Sequence, residues 1–252
     1  MKFVSGKPAA VAGKTLLVAD LHLGIEFELR RKGVRMPLQW KATAEEISAL
    51  MTTTRSSELL VLGDAKHDIY GLELKEKQMM RSFFHEILES GCKKIVVAKG
   101  NHDGQLQELA AEGLIEMIGP QGALVSLGGK KYGLCHGHAW PAPELAKAPL
   151  LLLAHDHPLI ELNDALGFRW SERAWILGKT RKCISYAASQ QAIVFPAFNT
   201  LSGGLAFNAR PCKELLGPLF ENECFDLENA EARLLSGMPL GKIRALRKHA
   251  AL

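Results

Sequence analysis

The sequence predicts a mixed α/β protein, and three features carry that reading. Short apolar runs alternate with amphipathic stretches through the first two thirds of the chain. Those runs are rich in Val, Leu and Ile and lack polar alternation, as strands buried on both faces do. The last third trades helical periodicity for strand-like segments separated by polar or glycine-containing turns.

Taken in order, Thr15 to Ala19, Leu59 to Leu62, Ile95 to Ala98, Tyr132 to Cys135 and Leu150 to Ala154 are the predicted buried strands. Between them, Trp40 to Met51 and Glu73 to Leu88 have helical spacing. In the second helix Leu74, Met80, Phe84 and Leu88 are expected on the buried face, Lys75, Glu76, Arg81 and Glu89 in water, and Gly91 as the cap. From about Asn163 the expected strands are Phe168 to Leu177, Cys183 to Ala188 and Ala192 to Phe198, and Lys242 to His249 form a basic helix that reads as a solvated tail. No composition break marks a boundary. The chain is therefore read as one domain, 1–252, with a motif-bearing core at about 15–158 and a β-rich extension at about 163–252.

A chain of 252 residues, 47% hydrophobic and 23% charged, can bury a large core and is neither disordered nor fibrous. The net charge of +4 permits a polyanionic partner without requiring one. No apolar stretch approaches the roughly 18 residues of a membrane span, and Lys2, Gly6, Lys7 and Pro8 argue against a signal peptide. Cys92, Cys135, Cys183, Cys212 and Cys224 are odd in number and show no C-x-x-C spacing, so neither a disulfide scaffold nor a thiolate zinc site is expected and a cytoplasmic location is.

The chemistry-bearing residues follow the apolar runs. Asp20-Leu21-His22 follows the first, Gly63-Asp64-Ala65-Lys66-His67 the second and Gly100-Asn101-His102-Asp103 the third. His136-Gly137-His138 and His155-Asp156-His157 follow the last two, so seven of the nine histidines cluster there. The carboxyl end of a buried strand is where open α/β sheets assemble their sites. Carboxylate, imidazole and amide oxygen without thiolate suit a borderline divalent ion such as Mn²⁺, Fe²⁺ or Zn²⁺. Five such loops hold more donors than one ion needs, and two ions sharing a carboxylate suit phosphoester hydrolysis.

D-x-H, G-D-x-x-H, G-N-H-D, H-G-H and H-x-H, in that order from about Thr15 to Pro158, resemble the calcineurin-like metallophosphoesterase superfamily. The G-D-A-K-H and H-G-H-A-W-P forms and the trailing P-A-F-N…G-G at Pro196 to Gly204 resemble its SbcD-related branch, kin to repair nucleases. The resemblance implies two facing β-sheets flanked by helices. It also implies a pair of divalent ions, with Mn²⁺ expected and Fe²⁺ or Zn²⁺ as alternatives. One ion would take Asp20, His22 and His157, the other Asn101, His136 and His155, with Asp64 bridging. His102 would face the scissile phosphate alongside Asn101 and protonate the leaving oxygen, with Asp103 holding its ring or else capping the helix beyond Gly104. His67 would help place the phosphate or activate water, or else hydrogen-bond a ligand, as His138 is expected to do. The last motif departs from the usual form by carrying Ala154 where glycine is expected, which predicts an altered turn and an intact site.

The implied activity is hydrolysis of a phosphodiester, with DNA or RNA as candidate substrates, and the alternative is a phosphodiesterase or phosphatase for small nucleotides. A non-catalytic scaffold, as in one retromer subunit of this fold, ranks below both because His102 and a full ligand set are present. Lys66 could reach a substrate phosphate but is expected in solvent. Glu26, Glu28, Arg30, Arg31, Lys32 and Arg35 read equally as a substrate groove or an exposed helix face. The segment Phe195 to Gly204 reads as a strand turning into a loop, a candidate border of the site. Oligomeric state is not legible.

Overall fold

In the computed structural model, residues 1–69, 74–164, 166–183, 186 and 189–250 are described, the last three without side chains. A six-stranded sheet holds β1 (Lys2–Phe3), β2 (Ala10–Ala12), β3 (Thr15–Val18), β4 (Glu58–Val61), β5 (Lys94–Ala98) and β6 (Glu116–Ile118), in that order. From β3 to β6 every pairing is parallel, with α1 (Ile25–Arg31), α2 (Trp40–Thr54) and α3 (Leu74–Glu89) in the crossovers and α4 (Gln107–Ala111) before β6. The second sheet begins with β7 (Ala123–Leu127), β8 (Lys130–Leu134) and β9 (Leu150–Leu153). It continues with β10 (Pro158–Asn163), β11 (Arg169–Lys179), β12 (Gln191–Val194) and β13 (Leu205–Ala206). Its spatial order is β13-β10-β11-β12-β9-β8-β7, with β14 (Glu231–Leu234) and β15 (Pro239–Lys242) added on β11. Two short helices, α5 (Pro218–Glu221) and α6 (Ile243–Ala250), follow in the last third.

Three apolar clusters explain why the runs are continuous. Leu17, Leu60, Leu62 and Ala98 of the first sheet meet Leu134, Leu152, Trp175, Ile193 and Phe195 of the second in the space between them. Alternate residues Leu16, Val18, Leu59, Val61 and Val97 point the other way, onto Ile47, Met51, Met80, Phe83 and Phe84 of the helices. The outer face of the second sheet buries Leu151, Leu153, Ile176 and Val194 beneath Leu219, Phe220 and Phe225. With both faces covered, period-two polar alternation has no place. The two-sheet, helix-flanked architecture is the one expected. The extension beyond residue 163 is not an appendage, because β11 and β12 pair into the interior of the second sheet.

Some local readings are corrected. The buried stripe of α3 is Met79, Met80, Phe83, Phe84 and Ile87, while Leu74 is 83% exposed and Glu76 is buried. Gly91 takes φ 104° just past that helix, as a cap requires. Of Cys183 to Ala188, residues 184, 185, 187 and 188 lie outside the described residues, and Cys183 and Tyr186 form only an isolated bridge. The third late strand stops at Val194. Cys183 and Cys224, 41 residues apart, form a disulfide that odd count and spacing did not reveal, so the cysteine argument for a reducing compartment loses its premise. Among the described residues no helix is long and apolar enough to cross a membrane.

Trp175 is 1% exposed and packs between the sheets, its ring stacked on Phe3 at 4.3 Å and edge-on to Phe195 at 4.8 Å. Trp175→Ala should cost about 3–5 kcal/mol of unfolding free energy, the usual loss for a large buried aromatic; chemical denaturation measures it.

Candidate metal centre

Each motif begins one or two residues past the carboxyl end of β3, β4, β5, β8 or β9, so the loops of both sheets meet at one end of the sandwich. The first two loops run on as a ladder, Asp20 N–H donating to Gly63 O, His22 N–H to Asp64 O and Leu23 N–H to Ala65 O. Asn199, beyond β12, crosses from the second sheet and donates from Nδ2 to the carbonyls of Leu21 (2.8 Å) and His22 (3.3 Å). Its segment does border the site, since Ser202, Gly204 and Leu205 line the same cleft as His22, Asp64, His102 and His157.

The backbone is bent to aim these side chains. Asp20, His22, Asp64, His155 and His157 all have φ between 41° and 78°, in the left-handed region. Each such residue costs of order 1–3 kcal/mol and persists only where its surroundings enforce it. Ala154 is not among the positive-φ residues, so the glycine expected there is not required by conformation. Glycine is required elsewhere: a Cβ on Gly100 would lie 2.1 Å from Asp64 Oδ1, and one on Gly63 would lie 2.3 Å from His136 Nδ1.

Asp103 does not hold the His102 ring. It is fully buried, and its carboxylate accepts N–H bonds from Asp64, Ala65 and Gly100 at 2.8 Å each and from Lys66 at 3.4 Å, tying the second motif to the third. Nor does it cap a helix, because α4 starts only at Gln107. Burial, and next the Asp64 charge, push its carboxyl up to about 6 against the pull of these donors. What orients His102 is the main chain: its Nδ1 hydrogen-bonds the His67 carbonyl, and its backbone N–H donates to Asp64 Oδ1 at 2.9 Å.

Three groups of side chains bring ligand atoms within 4.8 Å of one another: Asp20, His22 and His157; Asp64, His136 and His155; and His22, His67 and His102. Asp64 Oδ2 lies 3.2 Å from His136 Nε2 and 3.7 Å from His22 Nε2, between the first two groups. His136 Nδ1 donates to Leu62 O at 2.7 Å, which turns Nε2 inward. Within the described residues no hydrogen bond reaches either oxygen of Asp20 or His136 Nε2, although all three atoms are buried. Orphaned buried acceptors cost free energy unless something polar meets them, and a divalent cation fits this donor set. Asn101 lines the cleft but is exposed.

Titration follows position. Burial, helped by the neighbouring imidazoles and opposed by Asp64, drives His22 down to about 2. Burial and then the His136 charge lower His155 to about 3 and His138 to about 4. Burial opposes the Asp64 charge, yet the His136 imidazolium holds that carboxyl well below its usual range. For His136 burial is again outweighed, by Asp64 and Asp20, and the group rises to about 10. His157 is also raised, Asp20 overcoming its burial. Asp156, buried between two ligand candidates, is pushed up to about 8 and accepts Leu216 N–H at 2.6 Å.

Several expectations fail here for physical reasons. Lys66 is fully buried; burial lowers its ammonium against the carboxylates of Glu76, Asp103, Asp68 and Asp64. His138 packs its ring against His136 and His155, at 5.4 and 6.1 Å, in place of the expected hydrogen bond to a ligand. In the charged stretch after the first motif, Glu26 is buried and accepts Gln39 N–H, and Glu28 reaches His67.

No family model matches this chain, and no curated protein does. Solved structures do match in fold. Nuclease MPE of Pseudomonas putida aligns over 90% of this chain and 88% of its own, at 19% identity and TM-score 0.56. The phosphoesterase YfcE of E. coli aligns over 90% and 97%, at 15% identity and TM-score 0.43. Topology and strand-end loops together define the class: the chain has the metallophosphoesterase fold. The individual likeness that carries this is the one to MPE, and at 19% identity it is a likeness of fold.

If His136 and His157 take up a metal, protons held there must leave, because a ring nitrogen binds metal only when bare, and the upward shift of both groups makes that release matter. Apparent affinity should therefore rise as pH rises, by up to about tenfold per unit for each proton released, and flatten only near the His136 value of about 10. Calorimetric Mn²⁺ titrations in buffers of different ionisation enthalpy count those protons.

Proposed function

We propose that this protein is a hydrolase acting on phosphoester bonds with a dinuclear divalent-metal centre, and that its substrate is a phosphodiester, nucleic acid being the leading class. One observation carries the reading: buried Asp20 and Asp64 and the imidazoles of His22, His136, His155 and His157 converge at the strand ends, with the Asp20 oxygens free of hydrogen bonds from the described residues. Asp20, His22 and His157 would hold one ion, His136, His155 and Asn101 the other, and Asp64 both. Mn²⁺ is the proposed metal, with Fe²⁺ or Zn²⁺ as alternatives. When bound, the ions supply Lewis-acid stabilisation of charge building on the phosphoryl oxygens.

The chain's own residues do the rest. His102 stands at the cleft with Nδ1 turned to the His67 carbonyl, so Nε2 is the nitrogen that faces a substrate. Protonated there, it delivers a proton to the leaving oxygen. Asn101, exposed beside it in the cleft, would hydrogen-bond the phosphate. That MPE is a nuclease supports a nucleic-acid substrate, which the net charge of +4 permits. The cleft, about 300 Å³, is at the small end for ligand pockets, which keeps a small-nucleotide phosphodiesterase as the second reading.

Two variants separate metal binding from chemistry. Asp64→Ala should lose more metal than any other single change, because it removes the donor proposed to hold both ions; metal analysis of the purified variant reads this directly, and near-normal loading of both sites would remove the bridging role. His102→Ala should keep both metals and lose about 10²–10⁴-fold in kcat. That loss should shrink on a nitrophenyl ester, whose leaving group needs little protonation. A uniform loss across good and poor leaving groups would assign His102 to electrostatic stabilisation alone.

A further inference from the structure

Glu28 lies on α1, in the stretch whose sequence reads equally as exposed helix face. Its Oε2 sits 2.7 Å from His67 Nε2, and its Oε1 is held by Lys32 one turn along. His67 Nδ1 in turn lies 3.2 Å from His22 Nδ1. The far side of the His22 ring, Nε2, faces His157 Nε2 at 3.1 Å and Asp64 Oδ2 at 3.7 Å. These contacts form one line from a helix surface to the buried cluster.

The protons along that line follow from donor and acceptor chemistry. An ionised carboxylate only accepts, so the His67 proton sits on Nε2, toward Glu28. With that proton on Nε2 and Nδ1 bare, the 3.2 Å contact to His22 closes only if His22 donates from Nδ1. A neutral imidazole carries one such proton, so His22 Nε2 is left as a bare lone pair facing His157 and Asp64. With the opposite polarity, His22 would carry its proton on Nε2 and present it to the place where a cation belongs. Both ring nitrogens of His67 are occupied in this arrangement, which makes that histidine a support for His22 ahead of a contact for phosphate.

We propose that Glu28 is a positioning residue which, through His67, fixes the tautomer in which His22 offers Nε2 to a divalent cation beside Asp20 and His157. The proposal rests on reading the cluster as a metal centre. Supports of this kind are worth about 10–100-fold in metal affinity when removed, whereas an ordinary exposed ion pair contributes little.

The test uses the full chain, stripped of metal with a chelator. Long-range ¹H–¹⁵N spectra assign the tautomer of each histidine, and calorimetric titration with Mn²⁺ gives the number and affinity of sites. The wild type should show His22 protonated on Nδ1 and bind two Mn²⁺ ions. Glu28→Ala should mix the His22 tautomers and weaken one of the two sites by about 10–100-fold, leaving the other unchanged. Glu28→Gln should restore both readouts to near wild type, because the amide oxygen accepts the same proton. A wild-type His22 protonated on Nε2, or a Glu28→Ala protein that binds both ions normally, overturns the proposal and leaves the metal centre standing. Equal weakening of both sites in the Ala and Gln variants, with a lowered melting temperature, overturns it in favour of a structural role. A wild type that binds no Mn²⁺ overturns the proposal and the metal-centre reading together.

Discussion

Two carboxylates taken out of water, Asp20 and Asp64, set the terms for everything around them. Asp20 is fully buried with no hydrogen bond from the described residues to either oxygen, and Asp64 receives one backbone N–H, from His102. A buried carboxylate without donors is unstable in its charged form unless cations approach it. These carboxylates hold His136 and His157 raised against their burial, while burial, aided by the neighbouring imidazoles, depresses His22 and His155. A cation beside Asp20 and Asp64 would meet the same two charges, so the raised rings and the fitness of the donor set for a cation follow from one electrostatic constraint.

The scaffold exists to hold that constraint in place. Five ligand candidates sit in left-handed backbone that non-glycine residues avoid, and two glycines clear the space for Asp64 and His136. Strain of this kind persists only when its surroundings over-determine it. Asp103 supplies much of that by gathering four N–H groups from two loops, Asn199 ties the first loop to the second sheet, and Asp156 ties the loop between His155 and His157 to Leu216. Behind them, Trp175 and Phe195 hold the two sheets in contact, so loops from different sheets keep their separation.

How much of this was legible in the sequence follows a physical line. The five strands and the polar clusters at their ends could be read because both are local: apolar runs mark buried strands, and a site residue one or two positions beyond each run needs no knowledge of distant chain. The two-sheet architecture came from resemblance, since periodicity carries no information on how sheets face each other. What escaped depends on contacts across long separations. Glu28 meets His67 39 residues away, Asn199 meets Leu21 178 residues away, and Cys183 pairs with Cys224. Asp103 looked like a partner of its neighbour His102 because adjacency suggests contact, while its carboxylate points back to residues 64–66. Lys66 and Glu76 looked wet because isolated charges usually are, but each is buried.

The claim on which the rest depends is that the buried acidic and imidazole cluster is built for two cations on either side of Asp64. Anomalous diffraction from Mn²⁺-loaded crystals tests it most directly. Two peaks are expected, one contacting Asp20, His22 and His157 and the other Asn101, His136 and His155, with Asp64 touching both. A single ion, or an ion held by His22, His67 and His102 with Asp20 left bare, would contradict it.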